Sequence, residues 1–280
     1  MRRREHWLLI GPSLALYIIF GIAPILMSVT GSVYDSGPFG EGWIGLRAWR
    51  DVFTSPRFWT GMATTMKFTV VLLPIIMALS VVLAVVLSWA RRKTRAFGRL
   101  AFYVPAVTSG VMISVIWRWA LAPNGLINHL FNTDILFIGS NPAAFWSISA
   151  MVLSVTLGQP VIYLMASFAT VDPELYEAAK LDGCNPWQEA WYITVPGILP
   201  VIIYLGVLRL SGTIQLWQFP YSVTGGGPNY GTTTLMLMTY QEAFVHTRFP
   251  EASVMSVVLV LLVMGLLMLS RVITGQRILG

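Results

Sequence analysis

The chain has 280 residues, of which 56% are apolar and 11% charged, with a formal net charge of +6 at pH 7 and a mean hydropathy of +0.70. A soluble domain carries about 25% charged residues, so this composition excludes an ordinary water-soluble globule and makes lipid the main solvent. The single cysteine, Cys184, excludes an intrachain disulfide and a cysteine-clustered metal site.

In chain order, Arg2, Arg3 and Arg4 precede the first apolar run, 7–33. A signal peptide has the same basic start, but this run is longer than a usual signal core and no A-x-A-like cleavage site follows. It reads as a retained first helix. Further apolar runs fall at 62–90, 97–121, 145–170, 198–219 and 252–274. Each is near or above the ~20 residues that cross a bilayer as a helix. None alternates with period two, and an open strand leaves its backbone unsatisfied in hydrocarbon, so the runs predict helices. The expectation is an all-α membrane protein of about six transmembrane helices, with no separate soluble domain. The polar connections 34–61, 122–144 and 220–251, rich in Gly, Pro, Asn and Trp, read as structured loops or short interfacial helices.

Orientation follows from the basic residues. Arg2–Arg4, the cluster Arg91, Arg92, Lys93, Arg95 and Arg99, and the late Arg271 and Arg277 share one side if the chain crosses six times. The positive-inside rule makes that side cytoplasmic, with both termini on it. The basic excess therefore marks a membrane face rather than a nucleic-acid partner. Alternation then puts the acid-rich loop 171–197 on the cytoplasmic face as well.

Within that loop Asp172 fits an N-cap, Pro173 the first helical position and Glu174 the first turn. A helix Glu174–Leu181 would put Leu175, Ala178 and Ala179 near one face and leave Glu177 and Asp182 free for basic groups on a partner. Gly183 permits a left-handed stop. Asn185-Pro186 starts a second short helix, 187–193, which Pro196 breaks before the fifth crossing. A plain interfacial hairpin that caps the bundle would have the same helix pattern.

Polar side chains inside apolar helices tend to face a cavity or another helix. Gln159 and Tyr163 lie one turn apart beside Gly158–Pro160. Gln215 and Gln218, three apart with Trp217 between them, are expected to share a face of the fifth crossing. Amides beside an aromatic platform suit the hydroxyls and C–H faces of a sugar, and they equally suit hydrogen bonding between helices. Lys67 and Arg209 are the deeper cations, and Arg118 sits near an outer helix end. Each either snorkels, pairs with a carboxylate or serves an acidic solute. The crossings contain no Asp/Glu relay of the kind proton-coupled carriers use.

The sequence has no G-x-x-x-x-G-K-[ST] phosphate loop, and Gly225-Gly226-Gly227-Pro228 reads as a turn. His6, His129 and His246 are scattered and suggest no metal site, and no hydrolytic set of Ser, His and Asp is recognisable. Energy for pumping would come from another polypeptide or from an ion gradient.

With Glu177-Ala178-Ala179, Gly183 and Ile193-Thr194-Val195-Pro196, the loop resembles the signature loop of the permease subunits of binding-protein-dependent ABC importers. That signature reads EAA, then Gly, then Ile-x-Leu-Pro. Val195 stands for the usual Leu and Cys184 for the usual Ala. Leu157-Gly158-Gln159-Pro160, Thr224–Pro228 through Thr232–Leu235, and the Gly11-Pro12 to Pro24 pattern look like the carbohydrate (maltose-type) branch, so the similarity covers roughly 7–275.

The resemblance implies a type I ABC importer permease fold and a single transmembrane permease domain spanning 1–280. It implies ATPase coupling through Glu177, Ala178, Ala179, Asp182 and Gly183, and a substrate path past Gly158, Gln159, Gln215 and Trp217, with Tyr163 and Gln218 beside them. It implies sugar or oligosaccharide uptake by a subunit that is not an enzyme and has no cofactor of its own. ATP and Mg would be held by two ATPase subunits. A second, different permease and an extracytoplasmic solute-binding protein complete the set, in a bacterial or archaeal cytoplasmic membrane. Import of another polar solute (glycerol phosphate, polyol, peptide), an ion-coupled secondary carrier and a membrane-embedded enzyme are the competing readings.

Overall fold

A computed structural model describes residues 3–35, 40 and 42–278, with side chains for 10–35, 40 and 42–270. Arg2 and the side chains of Arg3, Arg4, His6, Arg271 and Arg277 lie outside the described residues.

The chain begins with α1 (Arg3–Tyr17), which passes through a wide π-helical turn, Ile18–Ile22, into α2 (Ala23–Gly31). That turn lies just ahead of Pro24, where a regular ladder must lose a bond. A two-residue hairpin follows, β1 (Tyr34–Asp35) antiparallel to β2 (Gly42–Trp43). Next comes α3 (Arg47–Thr54), which buries Ala48 and Val52, one turn apart, and exposes Arg50 and Asp51. It is a short amphipathic helix, the type that suits a membrane boundary.

The long helix α4 (Pro56–Trp89) has 34 residues, about 51 Å at 1.5 Å per residue, and organises the bundle. Its buried stripe Phe68, Leu72 and Ile76 repeats every four residues and packs on Phe145, Ile148 and Val152. Further along, Ala84 and Leu87 pack on Val161, Leu164, Ile198 and Leu205. At the other end Phe58 joins Leu210, Ile214, Leu235 and Val254. Arg95 closes the C-terminus of α4 by donating to the carbonyls of Leu87 (3.2 Å), Ser88 and Ala90 (3.2 Å), a cation at the negative end of the helix dipole.

The remaining helices are α5 (Arg92–Val107), α6 (Gly110–Ala120), α7 (Leu126–Phe131), α8 (Asn141–Thr156), α9 (Gly158–Ser167), α10 (Pro173–Leu181), α11 (Pro186–Glu189), α12 (Val195–Gly197), α13 (Leu199–Ile214), α14 (Gln218–Thr224), α15 (Leu235–Tyr240) and α16 (Phe249–Ile278). Three helical stretches, Ile10–Gly31, Pro56–Trp89 and Phe249–Ser270, are each long and apolar enough to cross a membrane; six crossings result if each of three bent pairs counts as one.

Three bends of more than 40° accompany these apolar runs. The run 97–121 turns by 101° between α5 and α6. Pro105 supplies no N–H there, and Thr108 and Ser109 are extended. The run 145–170 bends by 41° between α8 and α9, and 70° separates Pro186–Gly197 from Leu199–Ile214. The fifth run also stops short of its expected end: α13 ends at Ile214, and Trp217 (φ −143°) is non-helical before α14.

Candidate functional site

The loop 171–197 is built largely by local chemistry. The Asp172 carboxylate accepts from the Glu174 N–H at 3.0 Å, and Pro173 occupies the first turn of α10. Such a cap stabilises a helix start by about 1 kcal/mol. Gly183 has φ +74° and a Cβ there would meet nothing, so glycine is favoured by the backbone angle and not by space. Asn185 and Gln188 form a reciprocal capping box, with bonds of 2.9 and 2.8 Å.

Two expectations for this loop need correction. Pro196 does not end the second helix, because a π-helical turn, Ala190–Thr194, leads into α12 with Pro196 near its start. The break falls at Ile198 (φ −103°, ψ 8°), just before Pro200 in the first turn of α13. The face of α10 is also rotated from that expected. Ala179 is buried and Tyr176 half-buried, whereas Leu175 and Ala178 are exposed.

Tyr176 Oη lies 2.9 Å from Thr194 Oγ1, which fastens α10 to the segment that re-enters the bundle. Facing away are Glu174, Glu177, Ala178, Asp182 and Leu181, the last 90% exposed. Four carboxylates (Asp172, Glu174, Glu177, Asp182) against Lys180 make this an acidic knob with an apolar tip. Leu181 was missed from the sequence; a large apolar side chain between Lys180 and Asp182 was the available signal.

A second group of polar residues lies on α9 and α13. Gln159 and Tyr163 are both exposed, one turn apart as expected. The Arg209 guanidinium donates to Gln159 Oε1 at 2.8 Å, and no carboxylate among the described residues pairs with it. Gln215 is exposed and donates to Ser211 Oγ at 2.8 Å. Gln218 does not continue the face of Gln215, because the helix is interrupted between them. It packs instead at Gly110, where a Cβ would come within 3.0 Å of Gln218 Oε1.

Gly158 is buried, and a Cβ there would collide with the Phe102 carbonyl oxygen. Its lack of a side chain lets α9 and α5 approach backbone to backbone, the means by which helices associate closely without a water-driven force between them. Trp217 stacks on Tyr240 (centroids 4.8 Å, 24°), which meets Tyr221 at 5.3 Å and Phe244 at 5.2 Å. Tyr221, Tyr240 and Phe244 were not foreseen, because the loop that folds them back onto Trp217 is fixed by tertiary contacts.

That loop is threonine-bonded. Thr233 Oγ1 donates to the Gly226 carbonyl at 2.8 Å, Thr232 Oγ1 to that of Gly227 at 2.8 Å, and Thr65 Oγ1 accepts from the Leu235 N–H at 2.8 Å. Gly225 (φ +63°) and Gly226 (φ +95°) form the expected turn. Arg57 donates to Glu242 (3.2 Å) and Gln241 (2.9 Å), tying the start of α4 to the turn Gln241–Val245. Among the described residues no three His, Cys, Asp or Glu converge on a metal-sized site.

Residues 8–278 match the model of the binding-protein-dependent transport system inner membrane component. The chain belongs to this family. It is 30% identical to the lactose transport system permease protein LacF of Rhizobium radiobacter, over 92% of this chain and 89% of that protein. It is 26% identical to the probable starch degradation products transport system permease protein AmyD of Thermoanaerobacterium thermosulfurigenes, covering 97% and 94% of the two chains. Among solved structures, it superposes with a TM-score of 0.86 at 20% identity on a chain of a bacterial alginate ABC transporter in complex with alginate pentasaccharide-bound periplasmic protein, covering 98% and 96%.

The permease therefore has the type I ABC importer permease fold, and it is a transport subunit rather than a catalyst. In this permease the acidic knob and the Gln159–Arg209 face are built on different elements. The knob lies at the turn joining α9 to α13, and the polar pair lies within those same two helices.

Proposed function

We propose that the permease is one transmembrane subunit of an ATP-driven importer of sugars or oligosaccharides delivered by an extracytoplasmic solute-binding protein. LacF and AmyD, by their names, serve lactose and starch degradation products, and the alginate transporter was seen with a sugar-loaded periplasmic protein. In this reading the whole chain, 1–280, is a single permease domain with six crossings and both termini cytoplasmic, in a bacterial or archaeal inner membrane. A second, different permease and two ATPase subunits complete the machine, and ATP and Mg are held by those ATPases.

The observation that carries the reading is the acidic knob. Its Glu177, Ala178, Asp182 and Leu181 project outward, while Ala179 and the Tyr176–Thr194 bond root it in the bundle. An ATPase whose closure binds one position of the knob better than another shifts the permease between outward and inward states. Gly183 sets the exit angle of α10, and α9 and α13 carry that shift to the path. Gln159, Tyr163, Gln215 and Trp217 offer amide, hydroxyl and aromatic groups to a sugar there, Gly158 holds the adjoining helices close and Gln218 fixes α14 on α6.

Reconstitution of the permease with its ATPases in liposomes tests this. Uptake should require ATP, the loaded binding protein and both permeases, and it should ignore ionophores. Uptake by this chain alone, abolished by an ionophore, would contradict it.

A further inference from the structure

Beyond its first residue, the exposed residues of α4 form one stripe: Trp59, Thr60 and Ala63, then Lys67, then Val70, Pro74, Ala78, Leu79, Val82 and Val86, ending at Trp89. Below Lys67 this stripe is wholly apolar. It is bracketed by tryptophans, the residues that favour the two membrane–water boundaries. A face of this composition is suited to hydrocarbon, unlike the polar face of Gln159, Tyr163 and Arg209.

Lys67 breaks the pattern. It sits eight residues inside Trp59, about 12 Å along the helix, where an ammonium without an anion is costly. No carboxylate of the described residues pairs with it. Its Nζ lies 4.3 Å over the Phe145 ring, a contact that holds the head in place and leaves its N–H donors unused. Lys67 lines a cleft of about 590 Å³, with Trp59 and Trp146 as walls and Thr60, Thr64 and Asn141 as further polar groups. The start of α8, at Asn141 and Pro142, opens onto the same cleft, which adds a positive helix-dipole end.

We infer that this cleft is a binding site for the phosphate of an anionic phospholipid from the outer leaflet. Lys67 and the Thr64 hydroxyl would donate to the phosphate oxygens, the Thr60 hydroxyl being already given to the Pro56 carbonyl at 3.1 Å. Trp59 and Trp146 would flank the glycerol, and the acyl chains would run down the apolar stripe towards Val86. The lysine reaches up to the headgroup as snorkelling cations do, while the cleft lets one headgroup settle below the general boundary.

The test is native mass spectrometry of the assembled transporter, delipidated and then titrated with dioleoyl phosphatidylglycerol or the matching phosphatidylcholine. Wild type should retain phosphatidylglycerol preferentially. Lys67→Gln should retain it about tenfold less well or worse, the loss expected of a charged hydrogen bond, and Lys67→Arg should keep it. Trp146→Ala, which leaves the charge in place, should also weaken retention and guards against a Lys67→Gln complex that fails to assemble.

Equal retention by wild type and Lys67→Gln would overturn the proposal, as would equal retention of the two lipids. Displacement of the lipid by millimolar inorganic phosphate would assign the cleft to a soluble anion instead. Cross-linking of Lys67→Cys to the second permease would show the stripe to be a subunit contact and would equally overturn it.

Discussion

Tyr176 and Thr194 stand 18 positions apart, yet their hydroxyl oxygens are 2.9 Å from one another. This bond joins the first helix of the acidic loop to the chain that climbs back into the bundle. Tyr176→Phe keeps the ring against its apolar neighbours and removes only the hydroxyl. A neutral hydrogen bond contributes about 1 kcal/mol, so the fold should survive. The expected defect is in transmission: ATP hydrolysis by the assembled transporter should continue while solute uptake per ATP falls. Unchanged stoichiometry would show that the bond carries no motion.

Gly183 makes a separate prediction, because its φ of +74° lies in open space. The penalty for a side chain is then set by the backbone alone. Asn tolerates the left-handed region, whereas a β-branched residue does not. Gly183→Asn should retain most transport. Gly183→Val should lose it, at a cost of about 1–2 kcal/mol to the loop conformation. Binding of the ATPase subunit to each variant in a pull-down reads the result, and equal binding by both would contradict the assigned backbone role.

In the bundle, Gly158→Leu should act through packing. The added side chain meets the Phe102 backbone, and overpacking of this kind costs about 1–3 kcal/mol. Lower thermal stability in detergent should therefore accompany any loss of uptake. Trp217→Ala, at the end of a stacked aromatic group, should instead weaken uptake with little change in stability. If both variants lost stability equally, Trp217 would be a packing residue and would leave the proposed path.

Among the described residues, Gln159 holds the one acceptor that Arg209 uses. Gln159→Leu strands the guanidinium within an apolar helix, and losing a charged hydrogen bond costs about 1.5–3 kcal/mol. A reduced melting temperature is expected for Gln159→Leu. Adding Arg209→Met should restore most of it, because the stranded charge is then gone. Additive losses in the double variant would refute the coupling.

How much of this was legible in the sequence depends on the range of the interaction. Asp172, Pro173, Gly183 and Asn185 each act on neighbours within a few residues, and their roles as caps and stops could be read directly. Hydropathy located the apolar runs because lipid demands long apolar helices. It could not locate the bends at Thr108–Ser109 and at 215–217, which depend on packing against other helices. Arg57 and Glu242 are 185 positions apart, and Gln159 and Arg209 are 50 apart. Neither pair leaves a local pattern. The expectation that Gln215 and Gln218 share a face failed because it assumed a continuous helix where the chain is broken.

Cys184 offers the most direct measurement. It is the sole cysteine of the chain, lies one residue past Gly183 and is partly exposed, so a thiol reagent reports on the acidic loop without engineering. In right-side-out sealed vesicles a membrane-impermeant maleimide should leave Cys184 unlabelled. In inside-out vesicles it should label the residue, and bound ATPase should protect it. Labelling from the outside of sealed right-side-out vesicles would put the knob beyond the reach of any cytoplasmic motor and contradict the account.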